Sequence, residues 1–111
     1  MTTHTVRLET KRITDERSFH EVFAKAMGFP DFYGHNLNAW IDCMGYLDEP
    51  GAEMTGFTIP KGEMVHLEIA DSGDFQKRLP RVFHDFIECT AIVNRRRTVA
   101  GSPPILSLIL L

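Results

Sequence analysis

Hydrophobic positions change their period several times along this chain, and each change marks an element. Thr5–Glu9 alternates Val6 and Leu8 with polar neighbours, the period-two pattern of a strand. From Thr14 the period lengthens. Phe19, Val22, Phe23 and Ala26 recur at i, i+3, i+4 and i+7, which predicts one buried stripe of a helix. Thr14 is placed to cap that helix, Asp15 and Glu16 suit its first turn, and Gly28 suits its end. Phe29–Gly34 then reads as a connector, bracketed by Pro30 and Gly34. A second helix is predicted from Asn36 to Tyr46, with Leu37, Trp40, Ile41 and Met44 on its apolar face. At about 100° per residue, Asn38, Asp42 and Tyr46 stack one turn apart on the opposite half.

The glycines and prolines of Asp48–Gly62 predict a loop or hairpin-like excursion. Met64–Ala70 alternates again, with Val65, Leu67 and Ile69 on one side of a second strand. Asp74–Leu79 suits a short helix, and Pro80 suits the first turn of a longer one reaching Asn94. That last helix carries Val82, Phe83, Phe86, Cys89, Thr90 and Val93 as its stripe, with Glu88 pointing roughly the other way. Arg95, Arg96 and Arg97 follow at its C-terminal end, where cations complement the helix dipole. After a loop over Thr98–Pro104, Ile105–Leu110 is nearly all apolar, the pattern of a strand buried on both faces. Strands separated by helical segments require crossovers, so the expected fold is α/β with a small three-stranded parallel sheet.

Composition narrows the partners more than the fold. At 111 residues the chain is expected to form a single domain spanning 1–111. A net charge of −3 argues against a nucleic-acid or anionic-membrane ligand and permits a basic protein partner. Met1 is followed by Thr2, Thr3 and His4 rather than by a basic and then apolar leader. No signal peptide is therefore expected, and the two cysteines, Cys43 and Cys89, are expected to be reduced thiols in the cytoplasm.

Catalytic and cofactor chemistry finds little support. His4, His20, His35, His66 and His84 have no ligand spacing with one another or with the cysteines, so no metal is expected and the histidines read as surface or buffering groups. No organic cofactor is expected either, because Gly34 is a single glycine before a helix rather than a phosphate-binding loop. A Cys–His enzyme would need Cys43, which lies nearer the polar face, to meet His35 across a bend, with no third orienting residue. An RNA-binding role for Arg95–Arg97 lacks an aromatic platform.

The segment from Phe29 to Met44, Phe-Pro-Asp-Phe-Tyr-Gly-His-Asn-Leu-Asn-Ala-Trp-Ile-Asp-Cys-Met, does carry a signature. It resembles the barstar family, whose stretch runs apolar-Pro-acid-aromatic-Tyr-Gly-x-Asn-Leu-Asp-Ala-x-x-Asp-x-Leu. The preceding helix, the strand order and the apolar C-terminal strand fit that family's compact α/β fold, while Asp48–Gly62 and Arg95–Pro104 look longer than its compact members need.

The resemblance implies a protein that inhibits a ribonuclease by offering carboxylates to its cationic active site, monomeric when free. A ribonuclease active site concentrates Arg, Lys and His to hold phosphate, so a plug needs anions on a rigid helix face and adjoining loop. By the resemblance, the aspartate matching Asp42 fills the phosphate pocket and dominates the contact. Phe32, Gly34 and Asn36 match contacting or loop-shaping positions, and Asn36 suits a helix cap equally well. A second carboxylate sits on the last helix, at Glu88 or, in a competing alignment, Asp85. Departures put the target in question. Asn38 stands where many members have aspartate, Phe32 lacks the hydroxyl of the usual tyrosine, and Gly45, Tyr46 and Leu47 also differ. Trp40, set on the apolar stripe, is expected in the core. A barstar-like fold serving another basic toxin, rather than a ribonuclease, is the alternative expectation.

Overall fold

The computed structural model describes residues 4–111; Met1–Thr3, which carry the leader argument, lie outside the described residues. The elements are β1 (His4–Leu8), α1 (Glu16–Met27), α2 (Leu37–Met44), β2 (Val65–Ile69), α3 (Ser72–Arg78), α4 (Pro80–Val99) and β3 (Leu106–Leu110). Single 3-10 turns at Thr10–Arg12 and Pro50–Ala52 interrupt the connections. The three strands form one parallel sheet in the order β1-β2-β3, with His4 beside Val65 and Val65 beside Leu106. This is the expected α/β architecture.

The sheet order decides which strand is most enclosed. β2 is central, and its Val65, Leu67 and Ile69 are all buried, as their alternation predicts. β3 was expected to be buried on both faces, and that expectation is corrected. Leu106 is buried, but Ile109 and Leu110 are exposed, because a three-stranded sheet leaves its last strand as an edge.

Helix boundaries are set by capping chemistry. The cap of α1 is Asp15 rather than Thr14: the Ser18 amide donates to Oδ1 of Asp15 at 2.8 Å, and the Asp15 amide donates to Oγ of Ser18 at 3.0 Å. Those reciprocal bonds draw the Asp15 carboxyl below its ordinary range, chiefly through the Ser18 amide. Gly28 ends the helix in a left-handed conformation at φ 66°, bringing its backbone against Gly56, whose amide donates to the Met27 carbonyl at 2.9 Å. α4 starts at Pro80 as expected but continues past Asn94 to Val99, since no helix-breaking residue intervenes before Gly101. Arg95–Arg97 are therefore inside the helix.

The core joins the helices to the sheet through an aromatic cluster. Trp40 is fully buried, with ring centroids 5.5 Å from Phe23 and 6.0 Å from Phe86, so α2 is seated against both α1 and α4. The long Asp48–Gly62 excursion is itself anchored, with Ile59 buried and its amide donating to the Leu47 carbonyl at 2.9 Å. No helix among the described residues is long and apolar enough to cross a membrane.

Candidate functional site: the α2 face and its connector

The connector between α1 and α2 is held from below. Tyr33 is buried against Phe29 and His35, with centroids 4.7 and 5.1 Å away, and its hydroxyl meets Nδ1 of His20 at 2.5 Å. Its immediate neighbour Phe32 points outward and is 76% exposed. One aromatic pins the connector while the other is displayed. His20 was expected at the surface, and that reading is corrected: it is wholly buried on the α1 stripe. Burial lowers its pKa, opposed by the Glu16 carboxylate 4.0 Å from Nε2. The same burial raises the Tyr33 phenol, so the hydroxyl is the donor and neutral His20 the acceptor.

The connector closes onto α2 through three polar contacts. His35 adopts φ 53°, and its Nδ1 donates to the Tyr33 carbonyl at 2.9 Å. Asn36 caps α2, Oδ1 accepting from the Ala39 amide at 2.8 Å while Nδ2 donates to the Gly34 carbonyl at 3.3 Å. A side chain at Gly34 would meet that Asn36 amide at 2.9 Å, so this glycine leaves room for the cap.

Beyond the cap, Asn38 and Asp42 are exposed one turn apart. Tyr46 follows in the turn after the helix and is 45% exposed. The helix itself ends at Met44, two residues before the expected boundary, where the Gly45 amide bonds back to Ile41. Cys43 is buried rather than turned toward the polar face. Burial, with a smaller contribution from Asp42, pushes its thiol up to about 11, the reverse of what a thiolate nucleophile needs. His35 meanwhile commits Nδ1 to the Tyr33 carbonyl. Cys89 is also buried, and its thiol is raised by burial. Among the described residues no group of three or more His, Cys, Asp or Glu could hold a metal ion.

The arginine run does more than complement the helix dipole. Arg97 donates to both carboxylate oxygens of buried Asp48, at 3.2 and 2.5 Å, and to the carbonyls of Gly45 and Pro103, each at 3.2 Å. It thereby ties the end of α2 to α4 and to the last loop. Arg96, one residue earlier, places Nη1 3.5 Å from Oδ1 of Asp42. Glu88 does not join this group: it is exposed and faces His84 at 3.9 Å. On a helical wheel Asp85 lies about 20° from Arg96 and Glu88 about 80° away, two turns or more toward the N-terminus of α4. Asp85, half-buried and 3.9 Å from Arg81, thus shares the side of α4 that meets α2.

Residues 3–108 match the family model described as Barstar (barnase inhibitor), almost the whole chain. The chain belongs to the Barstar family. The match includes the connector, α2 and all of α4, so the clamped loop, the Asn36 cap and the exposed Asp42 all fall within it. A search of curated proteins found no match. Barstar family members are inhibitors, not enzymes, and barnase is the target their description names.

Proposed function

We propose that this protein inhibits a ribonuclease by seating the α2 face and its connector over the enzyme's cationic active site. The family match carries the reading, and the pinned connector supports it: Tyr33 and the Asn36 cap hold Phe32, Gly34 and α2 in place before any partner arrives. A preformed surface loses less conformational entropy on binding. Asp42 is the anchoring anion, Phe32 and Tyr46 are flanking apolar contacts, and Asn38 is a neutral hydrogen-bonding neighbour. Asn36 shapes the loop, and Glu88, or Asp85 on the side nearer α2, is the second carboxylate. The protein acts in the cytoplasm as a single-domain monomer until it meets its target, protecting the cell that makes it.

Inhibition and surface-binding kinetics against barnase test this directly. Asp42→Ala removes one partner of a charge-assisted pair buried on binding and should cost about 2–5 kcal/mol of affinity, a range to which the family's own barnase complex contributes. Because Asp42 is exposed, the melting curve should shift by no more than about 0.5 kcal/mol equivalent. Lys77→Ala, on exposed α3 surface, is the control. An inhibitor indifferent to Asp42→Ala would refute the assignment of this face. The alternative, a non-ribonuclease toxin as partner, is favoured by two observations: Asn38 is uncharged, and Asp42 is already paired to Arg96. Capture of a basic protein without nuclease activity would decide for it.

A further inference from the structure

Resting on the reading of Asp42 as the anchor, we propose that Arg96 sets partner specificity. It fits the protein to an enzyme with a carboxylate beside its anion pocket, and against one whose rim is wholly cationic. Arg96 and Asp42 come from different helices, stand 3.5 Å apart, and are 62% and 61% exposed. The guanidinium therefore lies on the docking face itself, occupying in cis the neighbourhood that a partner's cation must enter. The pair sits at the rim of a groove between α2 and α4, floored by Ile41, Gly45 and Val93. Its backbone setting is rigid, because the next residue, Arg97, is bound to Asp48 and to the Gly45 carbonyl. Arg96 can retreat only by rotating its own side chain.

An exposed ion pair of this kind adds little to folding, so its weight falls on association. As a partner approaches and water leaves, a wholly cationic rim meets an uncompensated like charge beside the anchor. A partner carboxylate placed opposite Arg96 turns the same charge into a link in an Asp42–Arg96–carboxylate chain. Asn38, one turn from Asp42, supplies no second charge to offset Arg96.

Barnase is the probe, with binding kinetics and inhibition measured for the wild-type protein, Arg96→Ala, Arg96→Glu, Asp42→Ala and Arg96→Glu/Asp42→Ala, and thermal melts alongside. Against a wholly cationic rim, Arg96→Ala should tighten binding roughly tenfold, mainly through faster association, and Arg96→Glu should tighten it further. The double variant should lose that gain. Against a rim that carries a carboxylate opposite Arg96, both single substitutions should weaken binding by a similar factor. Wild-type inhibition that needs Asp42 but is unchanged in both Arg96 variants overturns the inference and leaves the inhibitor reading standing, whereas weaker inhibition by both supports the link to a partner carboxylate. Binding by Arg96→Glu alone, dependent on Asp42, supports the inference and moves the natural target away from a barnase-like rim. Failure of every variant to bind overturns both.

Discussion

Replacing Arg97 by methionine isolates the contribution of a desolvated ion pair to this fold. Asp48 retains only 3% of its side-chain exposure and Arg97 14%, so the pair is desolvated in the folded protein. Arg97→Met keeps much of the buried stem but removes four hydrogen bonds, leaving the Asp48 carboxylate, among the described residues, with the Lys61 ammonium at 4.0 Å. Lys61 is 69% exposed and bound to Glu49 at 2.9 Å, so it screens Asp48 weakly. Orphaning one member of a buried ion pair costs about 3–5 kcal/mol. For a domain of this size that lowers Tm by roughly 10 °C or more. It is also a large share of the ~5–15 kcal/mol that stabilises a typical domain. The protein's one tryptophan, Trp40, is fully buried and reports unfolding by fluorescence in a urea titration. Replacing both residues, Asp48→Leu with Arg97→Met, should recover most of the loss, because no unpaired charge then remains inside. A loss below about 1 kcal/mol for Arg97→Met, or a double variant as unstable as the sum of the singles, would refute the reasoning.

Two further outcomes follow from features away from that pair. Gly28→Ala combines a left-handed φ of 66° with a Cβ that would come within 2.6 Å of the Gly56 backbone, so chemical denaturation should show a loss of about 2 kcal/mol or more. His20 has its pKa lowered in the folded state, so folding binds fewer protons than the unfolded chain below the ordinary histidine pKa of 6.5. The stability this gives is fully present above that value and is lost as pH falls through the lowered folded pKa. His20→Gln should therefore flatten the wild-type decline in unfolding free energy on acidification, and equal slopes in the two proteins would contradict it.

The legible features were local ones. Alternation at Val65, Leu67 and Ile69, and helical spacing at Phe19 and Phe23, each report a face meeting a core, and the family signature marked the connector and α2. Periodicity does not say where a strand lies within a sheet, so apolar Ile109 and Leu110 read as interior although they occupy an edge. His20 had a usable signal: it precedes Phe23 by three residues and Met27 by seven, positions on the same stripe, but histidine's polarity outweighed its placement. The Arg97–Asp48 and Arg96–Asp42 pairs left no trace, because about 50 residues separate the partners and helical periodicity links only neighbours a turn or two away. Glu88 and Asp85 could be ranked only once the side of α4 meeting α2 was known.

The parallel sheet also governs how quickly the chain can find this structure. β1 pairs with a strand about 60 residues downstream, and β2 with one about 40 residues further on, so no hairpin can start the sheet. Loop-closure entropy is lost before the first ladder bond forms, whereas α1 and α4 complete their hydrogen bonds within a few turns of chain. Helix formation should therefore precede sheet assembly, with the meeting of β2 and both edges as the expected barrier. Substitutions at Val65, Leu67 or Ile69 should slow folding, while those at the exposed end of β3 should chiefly speed unfolding, a split that stopped-flow refolding and unfolding would read.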